Sequence, residues 1–395
     1  MLNGKTIILG VTGSIAAYKT ASLASMLVKL HADVHVIMTK NATQFISPLT
    51  FETLTGNKCI SDTFDRNFDF EVKHVSLAKK ADLILIAPCT ANVIGKIASG
   101  ICDDMLTTTV FATKAKVLLS PAMNTAMWEN PILQDNLKKL SAYGYGIIQP
   151  AAGRLACGDI GNGKMPEPEV LLQHILLHVA KEKDLAGKKV LISAGPTQEA
   201  IDPVRFITNH SSGKMGYAMA QSAALRGAEV TLVSGPVSIE PFIGVTLIRV
   251  TSAQEMFEAV TQRSQDQDII IMCSAVADYT PAAYSAQKVK KQEGSLSLAL
   301  SCTQDILQYL GKHKSDCQII VGFSMETENL IENSRKKLLQ KHIDLICANS
   351  IADRNTGFAV DTNQVTLITP EETVELPLCS KEETADRILN YILNL

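Results

Sequence analysis

The chain has 395 residues, of which 46% are hydrophobic and 19% charged, so it can bury more than one core and is not a disordered chain. Its 37 Lys and Arg and 40 Asp and Glu give a net charge of −3, which excludes a broad basic surface for nucleic acid. Aromatic residues make up only 5%, which argues against stacking surfaces for single strands. We therefore predict a soluble metabolic protein.

The first half alternates short apolar strands with helices. Strand patterns lie at residues 6–10, 33–38, 82–87 and 116–120, and helix patterns at 14–30 and 169–181. Continuous apolar strands separated by helices are typical of a parallel sheet covered on both faces. The polar residues 182–188 then form a predicted linker.

After the linker the alternation starts again. Strand patterns lie at residues 189–194, 229–234, 268–273, 318–322 and 344–348, and a helix pattern at 216–226. We predict an α/β protein of two successive three-layer Rossmann-like domains, each with a mostly parallel sheet. The predicted domains are residues 1–188 and 189–395.

The sequence indicates neither membrane insertion nor a disulfide framework. No stretch approaches the roughly 18 consecutive apolar residues of a membrane span, and a strand pattern stands where a signal peptide would. The nine cysteines are odd in number and lack Cys-x-x-Cys spacing. We expect a cytoplasmic protein in which most cysteines are small buried residues.

Motifs in the first half follow predicted strands. Gly10-Val11-Thr12-Gly13-Ser14 permits a tight turn with phosphate-binding N–H groups at a helix start, although the spacing is not Gly-x-Gly-x-x-Gly and Ser14 can be a simple helix cap. Residues 88–92 and 121–128 come after later strands, where open parallel sheets bind ligands. Residues 153–163 place four glycines around Cys157, which is more typical of a mobile active-site flap than of a connector.

Over roughly residues 1–180 these motifs resemble the homo-oligomeric flavin-containing cysteine decarboxylases. The resemblance rests on Pro-x-Met-Asn-x-x-Met-Trp and Leu-Ala-Cys-Gly-Asp-x-Gly-x-Gly, and His74 stands at the position of that family's active-site histidine. Each of these residues alone is an ordinary turn, cap or core residue, but together they stand in family order. The resemblance implies FMN as the cofactor, bound by Gly13, Ser14, Thr39, Pro88, Thr90 and Asn92.

The family's chemistry explains these residue types. A carboxylate cannot leave cysteine directly, because no electron sink lies β to it; oxidation of the thiol by FMN to a thioaldehyde supplies the sink. His74 would assist this oxidation as a base or electrostatic partner. Asn124 would hold the substrate carboxylate, and Cys157 would protonate the enethiolate left after CO2 departs, so that the hydride can return.

The second half carries its own motifs. Ser211-Ser212-Gly213-Lys214 precedes a predicted helix and suits a phosphate cradle, although the Walker A pattern is absent and Lys214 can simply face solvent. Lys288-Val289-Lys290-Lys291 is either a solvated turn or a strip that closes over a triphosphate.

Across roughly residues 189–395 the chain resembles the phosphopantothenate–cysteine ligases, on the block Gly-Pro-Thr-x-Glu-x-Ile-Asp-Pro-Val-Arg-Phe-Ile-x-Asn-x-Ser-Ser-Gly-Lys-Met-Gly. The resemblance implies that CTP activates the 4′-phosphopantothenate carboxylate as an acyl-cytidylate, which the cysteine amine then attacks. Asn209 would stabilise the acyl-cytidylate, with Arg205 and Ala275 at the substrate site. Lys288 would assist conversion of that intermediate or hold the triphosphate.

The implied CTP-binding residues are Ser212, Gly213, Met272, Cys273, Ser274, Asp278, Lys288, Gln304, Asp305, Ile306, Leu307, Phe323, Lys337 and Lys341. The segment 304–307 departs from the family pattern, which usually begins with proline and ends with valine. Because its contacts are largely through the backbone, we expect its role to survive. Mg2+ is expected mainly on the nucleotide phosphates, since no carboxylate cluster in the sequence specifies a protein-held metal.

Together the two halves resemble the bacterial bifunctional enzymes of coenzyme A biosynthesis. This implies a homo-oligomer, expected as a dodecamer with trimers formed by the first domain and dimers by the second, and no nucleic-acid or membrane partner. Two alternatives are a flavin-binding regulatory module fused to an active ligase and an NAD-type oxidoreductase. The presence of Asn124 and Cys157 argues against the first, and the missing Gly-x-Gly-x-x-Gly against the second.

Overall fold

The computed structural model describes residues 1–63, 72–155, 158–290, 297–326, 329–350 and 360–395. The chain divides into two units, Met1–Lys181 and Glu182–Leu395. Each unit is built on a largely parallel sheet with helices, which confirms the predicted fold class. Among the described residues, no helix is both long enough and apolar enough to cross a membrane.

Five parallel strands form the main sheet of the N-terminal unit, in the order β2-β1-β3-β4-β5. The central strands are buried aliphatic runs, as expected where helices cover both faces. A separate antiparallel hairpin joins β6 and β7. The strands are β1 Thr6–Val11, β2 Asp33–Met38, β3 Leu83–Cys89, β4 Lys116–Pro121, β5 Gly146–Ile147, β6 Ala151–Arg154 and β7 Ile160–Lys164.

Eight helices accompany these strands in the described part of the unit: α1 Ala17–Lys29, α2 Pro48–Thr55, α3 Lys73–Lys80, α4 Ala91–Ser99, α5 Met105–Ala112, α6 Thr125–Trp128, α7 Pro131–Ala142 and α8 Pro168–Val179. The helix predicted at 14–30 begins only at Ala17. Its first residues form a turn instead, in which the Ser14 Oγ accepts from the Ala16 N–H at 3.3 Å.

The C-terminal unit has an eight-stranded sheet in the order β12-β11-β8-β13-β16-β17-β19-β20. The first six of these run parallel, and β19 and β20 are antiparallel additions at one edge. The strands are β8 Lys189–Ala194, β11 Glu229–Ser234, β12 Val245–Arg249, β13 Ile269–Met272, β16 Ile319–Glu326, β17 Leu345–Ser350, β19 Val365–Ile368 and β20 Thr373–Glu375.

Three antiparallel pairs lie outside this sheet: β9 Gln198–Ala200 with β10 Phe206–Thr208, β14 Tyr279–Pro281 with β15 Leu300–Cys302, and β18 Thr362–Asn363 with β21 Cys379–Ser380. The described helices are α9 Lys214–Leu225, α10 Ala253–Thr261, α11 Ile306–His313, α12 Leu330–Lys341 and α13 Lys381–Ile392. The helix predicted at 216–226 thus begins two residues earlier, directly after Gly213.

In each sheet the first strand has later strands on both sides. β1 lies between β2 and β3, and β8 lies between β11 and β13. The connections therefore leave the first strand in opposite directions, which opens a crevice at the carboxyl ends of the strands. The predicted ligand-binding motifs at residues 10–14 and 88–92 lie at the carboxyl ends of β1 and β3, and predicted nucleotide residues 273 and 274 follow β13.

A buried threonine joins the two sides of the N-terminal crevice. Thr12 is fully buried; its Oγ1 donates to the Pro88 carbonyl at 2.7 Å and accepts from the Thr90 N–H at 3.0 Å. One hydroxyl thus ties the loop after β1 to the loop after β3.

We expect Thr12→Val to lower the free energy of unfolding of the N-terminal unit by about 3 kcal/mol, because it leaves the Pro88 carbonyl and the Thr90 N–H without their partner. Thr12→Ser keeps the hydroxyl and loses one methyl group, at a cost of about 1 kcal/mol. Urea unfolding followed by the fluorescence of Trp128, the single tryptophan, reports on this unit alone. Equal destabilisation by both variants would contradict the role of the hydroxyl.

Candidate active sites

A cavity of 610 Å³ opens beside the loops that follow β1 and β4 in the N-terminal unit. Its lining brings together Ser14 and Asn124, two of the residues predicted from the motifs. Exposed Ile15 and Tyr18 add apolar surface to one side of it. A space of this size and character suits a flat, largely apolar ligand with a polar tail.

The six predicted flavin residues lie at or just after the carboxyl ends of β1, β2 and β3, and Ser14 is the one of them among the described residues that line the cavity. A Cβ on Gly13 would lie 2.6 Å from the Asn41 Cβ, so only glycine allows the loop after β1 to approach the loop after β2 this closely. In that second loop the Thr39 N–H donates to the Val11 carbonyl at 3.0 Å. Pro88 lies near the end of β3, Thr90 is the N-cap residue of α4 and Asn92 is the second residue of α4; the backbones of Pro88 and Thr90 are held by the buried threonine hydroxyl.

Asn124 caps the short helix α6. Its Oδ1 accepts from the Met127 N–H at 2.8 Å, which fixes the orientation of the carboxamide. The side chain is exposed and lines the cavity. Because the cap uses the oxygen, the Nδ2 group is the end that suits an anionic ligand.

The glycine-rich segment predicted as a flap is the β6–β7 hairpin. Leu155 lines the cavity, and the Gly163 carbonyl accepts from the Met123 N–H at 3.1 Å, which fastens the hairpin beside Asn124. Cys157 lies outside the described residues. His74 is the second residue of α3 and half-buried, and it is not among the described residues that line this cavity.

The sequence motifs missed Lys19, one of the charged residues that line this cavity. Lys19 is buried, and its Nζ donates to Glu167 Oε1 at 2.8 Å and to the Met165 carbonyl at 3.4 Å. It lies on the buried stripe of α1, beside Thr20 and Leu23. A lysine on an apolar stripe was the available signal.

Two adjoining cavities form a groove at the crevice of the C-terminal unit. They measure 370 and 280 Å³ and share the lining residues Ser274, Val276, Asp278 and Phe323. The larger also includes Ser212, Gly213, Cys273 and Lys337, and the smaller Met272, Gln304, Asp305, Ile306, Leu307 and Lys341. The groove therefore assembles every predicted CTP residue except Lys288.

Asn209 ties the phosphate-cradle loop to the loop after β13. Its Nδ2 donates to the Ala275 carbonyl at 3.0 Å and to the Val276 carbonyl at 3.4 Å. At the same crevice the Ser193 and Ser274 hydroxyls lie 2.7 Å apart. Asn209 and Ala275 thus both stand in the groove, as predicted substrate residues must.

The phosphate cradle itself needs a glycine. Gly213 precedes α9 with φ +77°, and a Cβ there would lie 2.9 Å from Val237 Cγ1. The Ser211 Oγ accepts from the Gly213 N–H at 3.3 Å. The loop therefore presents the N-terminal end of a twelve-residue helix to the groove, where N–H groups and the helix dipole favour an anion.

The segment that departs from the family pattern closes the other end of the groove. The Asp305 carboxylate caps α11 by accepting from the Gln308 N–H at 3.0 Å. It also pairs with Lys341 Nζ at 2.9 Å. These contacts give the segment a fixed place despite its changed end residues.

Arg205 and Lys288 belong to a neighbouring loop cluster. The Asp202 carboxylate is fully buried and accepts from Arg205 Nε at 3.0 Å and from the Val289 N–H at 3.1 Å. Burial raises the pKa of Asp202, but the hydrogen bonds from Arg205 and from the backbone outweigh it and hold the pKa well below its usual range. Lys288 is exposed and directly precedes Val289; among the described residues, it lines neither cavity.

Several further groove residues carry no signal in the motifs, among them Asn349, Asn363 and Lys381. These three come from strands and a helix near the C-terminus, more than a hundred residues after the phosphate cradle. In the described part of the chain, no group of three or more His, Cys, Asp or Glu is arranged to hold a metal.

Comparison with known proteins shows the family to which the chain belongs. The family model described as "Flavoprotein" matches residues 1–179, and that of the "DNA/pantothenate metabolism flavoprotein C-terminal domain" matches 185–395. The coenzyme A biosynthesis bifunctional protein CoaBC of Bacillus subtilis is 47% identical, over all of this chain and 98% of its own. The chain belongs to this family of bifunctional coenzyme A biosynthesis proteins.

Two further relatives extend the comparison. The Escherichia coli protein of the same name is 41% identical over 99% of this chain and 97% of its own length. A crystal structure of the C-terminal domain of a CoaBC protein is 46% identical and covers 53% of this chain and 96% of its own, with a TM-score of 0.46.

The protein is therefore a bifunctional enzyme of coenzyme A biosynthesis, with a flavoprotein decarboxylase domain followed by a ligase domain. This confirms the function predicted from the sequence. The family assignment favours the two-enzyme prediction over a regulatory flavin module and over an NAD-type oxidoreductase.

We expect Asp202→Asn to lower ligase kcat/KM about tenfold, because losing the charge weakens the hydrogen bonds that hold Arg205 and the backbone N–H of Val289, the residue after Lys288. The depressed pKa means that this anchor is complete above the ordinary value of 3.8 and is lost only as the pH falls below it. Asp184→Asn is the matched control, because the Asp184 carboxylate accepts from Arg226 Nε at 2.7 Å and lies outside the groove. Equal kinetic effects of the two variants would contradict the assignment.

Proposed function

We propose that the C-terminal unit joins 4′-phosphopantothenate to L-cysteine through an acyl-cytidylate, converting CTP to CMP and pyrophosphate. The N-terminal unit then decarboxylates the product to 4′-phosphopantetheine. The observation that carries the ligase proposal is the groove itself, which gathers predicted nucleotide residues separated by 129 positions, from Ser212 to Lys341. The relatives support the pathway through their names.

The two ends of the groove suit different parts of a nucleotide. The helix start after Gly213 offers N–H groups for the triphosphate, and Lys337 lines the same cavity. At the other end Phe323 and the backbone of 304–307 surround a smaller space that fits a pyrimidine. We expect Mg2+ to bind mainly through the nucleotide phosphates, where it would neutralise the leaving pyrophosphate.

Asn209 stands where the acyl phosphate would form. Its Nδ2 bridges two backbone carbonyls of the loop after β13, so substrate binding and loop position are coupled through one carboxamide. Lys288 directly precedes Val289, whose N–H bonds to Asp202, and its side chain does not line the groove. This position suits a side chain that reaches the phosphates once the nucleotide is bound.

The N-terminal cavity fits a flavin mononucleotide. The close approach at Gly13, the start of α1 and the loop ending at Asn92 would hold the phosphate and ribityl chain, with Ser14, Thr39, Pro88 and Thr90 between them. Bound FMN supplies the reversible two-electron oxidation that makes the substrate carboxylate labile. The residues of this chain bind, orient and protonate the substrate.

Asn124 orients the substrate for this chemistry. With Oδ1 committed to the helix cap, Nδ2 donates to the substrate carboxylate and so places it in the cavity. The β6–β7 hairpin covers that position from the side, with Arg154 and Lys164 among its lining residues. We assign the proton returned to the enethiolate to Cys157, on the sequence motif.

We propose that the decarboxylase site is completed between copies of the chain. The cavity carries exposed Ile15 and Tyr18, 57% and 61% accessible, and His74 does not line it within one chain. A neighbouring copy would cover these apolar side chains and supply the histidine. We expect trimers of this unit, linked by dimers of the ligase unit into a cytoplasmic dodecamer.

The test of the whole proposal is mass spectrometry of the products formed by the purified protein from 4′-phosphopantothenate, cysteine, CTP and Mg2+. The expected products are 4′-phosphopantetheine, CO2, CMP and pyrophosphate in equal amounts. A yellow protein that accumulates 4′-phosphopantothenoylcysteine and releases no CO2 would refute the decarboxylase half. Amide formation without CTP would refute the proposed activation.

We expect Asn124→Asp to lower decarboxylase kcat/KM about 100-fold while α6 stays capped. The aspartate oxygen can still accept from the Met127 N–H, but the donor to the substrate carboxylate is replaced by a negative charge. Asn130→Asp is the matched control, because Asn130 caps α7 in the same way, at 3.0 Å from the Ile132 N–H. CO2 release measured on 4′-phosphopantothenoylcysteine decides the matter; a similar loss in both variants would contradict this role.

We expect Asn209→Asp to lower the rate of amide formation at least tenfold and to leave decarboxylation unchanged. The change replaces the donor to the Ala275 carbonyl by a second oxygen, which repels it. His210→Ala changes the exposed neighbouring residue as a control. Amide product formed by Asn209→Asp at the wild-type rate would show that this residue has no part in the ligation.

A further inference from the structure

Two lysines begin neighbouring helices in the ligase unit. Lys214 is the first residue of α9 and Lys381 the first residue of α13. A cation at a helix N-terminus opposes the helix dipole, so neither position is favourable on its own. Both side chains line the 370 Å³ cavity, and both also line a second cavity of 240 Å³ beside it.

Lys381 is held inside the protein against this preference. It is only 5% exposed, and its Nζ donates to the carbonyls of Val360 and Thr362. Its own N–H donates to the Asp361 carbonyl, and the Asp361 carboxylate pairs with Lys214 Nζ at 2.6 Å. Burial, and then the positive charge of Lys214, lower the pKa of Lys381.

Asn363 supplies an independent sign of a ligand. The residue is 2% exposed and lines the same cavity, yet its Oδ1 has no hydrogen-bond partner among the described residues. Its Nδ2 meets only Met215 Sδ, at 3.7 Å, and Met215 is the second residue of α9. A half-turn of the carboxamide exchanges its two ends, so the unpartnered position can hold either a donor or an acceptor.

Lys381 and Asn363 both contact residues at the first turn of α9 or their direct partners, so these observations describe one site. We propose that Lys381 and Asn363 form a second wall of the phosphate cradle, opposite the Ser211–Gly213 loop, and bind phosphoryl oxygens of a substrate. This rests on the ligase function proposed above. The phosphoryl group belongs either to the polyphosphate chain of the nucleotide or to the phosphate of the acyl substrate.

The charges around this wall favour an anion, while nearby carboxylates limit which anions can bind. Lys214 and Lys381 face Asp361 and Glu382 across the smaller cavity, together with Glu240. Toward the larger cavity the carboxylate among the described lining residues is Asp278, while Lys337 adds a third ammonium group. A bound phosphoryl group would relieve the repulsion between the two lysines and satisfy the Asn363 carboxamide.

The test is isothermal titration of the full-length protein with CTP, CMP, inorganic pyrophosphate and 4′-phosphopantothenate. If the wall holds the nucleotide's polyphosphate, Lys381→Gln should weaken the binding of CTP and of pyrophosphate about 10- to 100-fold. The binding of CMP should weaken less than threefold. If the wall holds the acyl substrate instead, only the binding of 4′-phosphopantothenate should weaken by that factor. Asn363→Asp, which is nearly isosteric, should act in the same direction, and Lys381→Arg should restore most of the affinity.

Lys312→Gln is the control, because this exposed lysine of α11 lies outside the cavities that Lys381 lines. A loss in Lys381→Gln that is equal for CTP, CMP and 4′-phosphopantothenate would show a purely structural role and overturn the proposal. The proposal would also be overturned if the wild-type protein bound none of the four phosphoryl ligands. If the wild type bound pyrophosphate but not CTP, and the variants no longer bound pyrophosphate, the proposed nucleotide would be wrong. The phosphoryl-binding role of Lys381 and Asn363 would then be supported.

Discussion

Both units depend on one constraint of parallel sheets, the reversal of winding direction at the first strand. Because β1 and β8 each have later strands on both sides, the loops after them diverge from the loops after β3 and β13. The crevice is a consequence of strand order and exists whatever side chains fill it. Two different chemistries can therefore use the same architecture in one chain, each with its own loops.

The crevices still have to be held at a fixed width, and each unit does so with a side chain from the first loop. Thr12 bonds to both backbone groups of the facing loop in the N-terminal unit. In the C-terminal unit Thr197 Oγ1 accepts from the Ala277 N–H at 3.0 Å, and Asn209 donates to the Ala275 carbonyl. The threonines are buried and purely structural, whereas Asn209 is exposed in the groove, so the ligase unit joins loop position to ligand contact.

The parts of this architecture that follow from periodicity were predictable. The runs at 33–38, 189–194 and 229–234 coincide with β2, β8 and β11, because buried parallel strands leave continuous apolar stretches. The start of α1 was not predictable, because Ser14 belongs to a local turn that the helical spacing of apolar residues does not reveal. Strand order was also beyond the sequence, and with it the meeting of residues as distant as Ser212 and Lys341.

Three of the residues that the motifs missed share a physical feature. Lys19 lies on a buried stripe, Lys381 begins a helix, and Asn363 is a buried carboxamide with one end unpartnered. Each opposes the local preference for its position, and such conflicts persist where the surrounding structure or a ligand compensates for them. Lys19 is compensated within the chain by Glu167. The unpartnered end of Asn363 has no such compensation in the described structure, which leaves the ligand of the groove as the group that completes it.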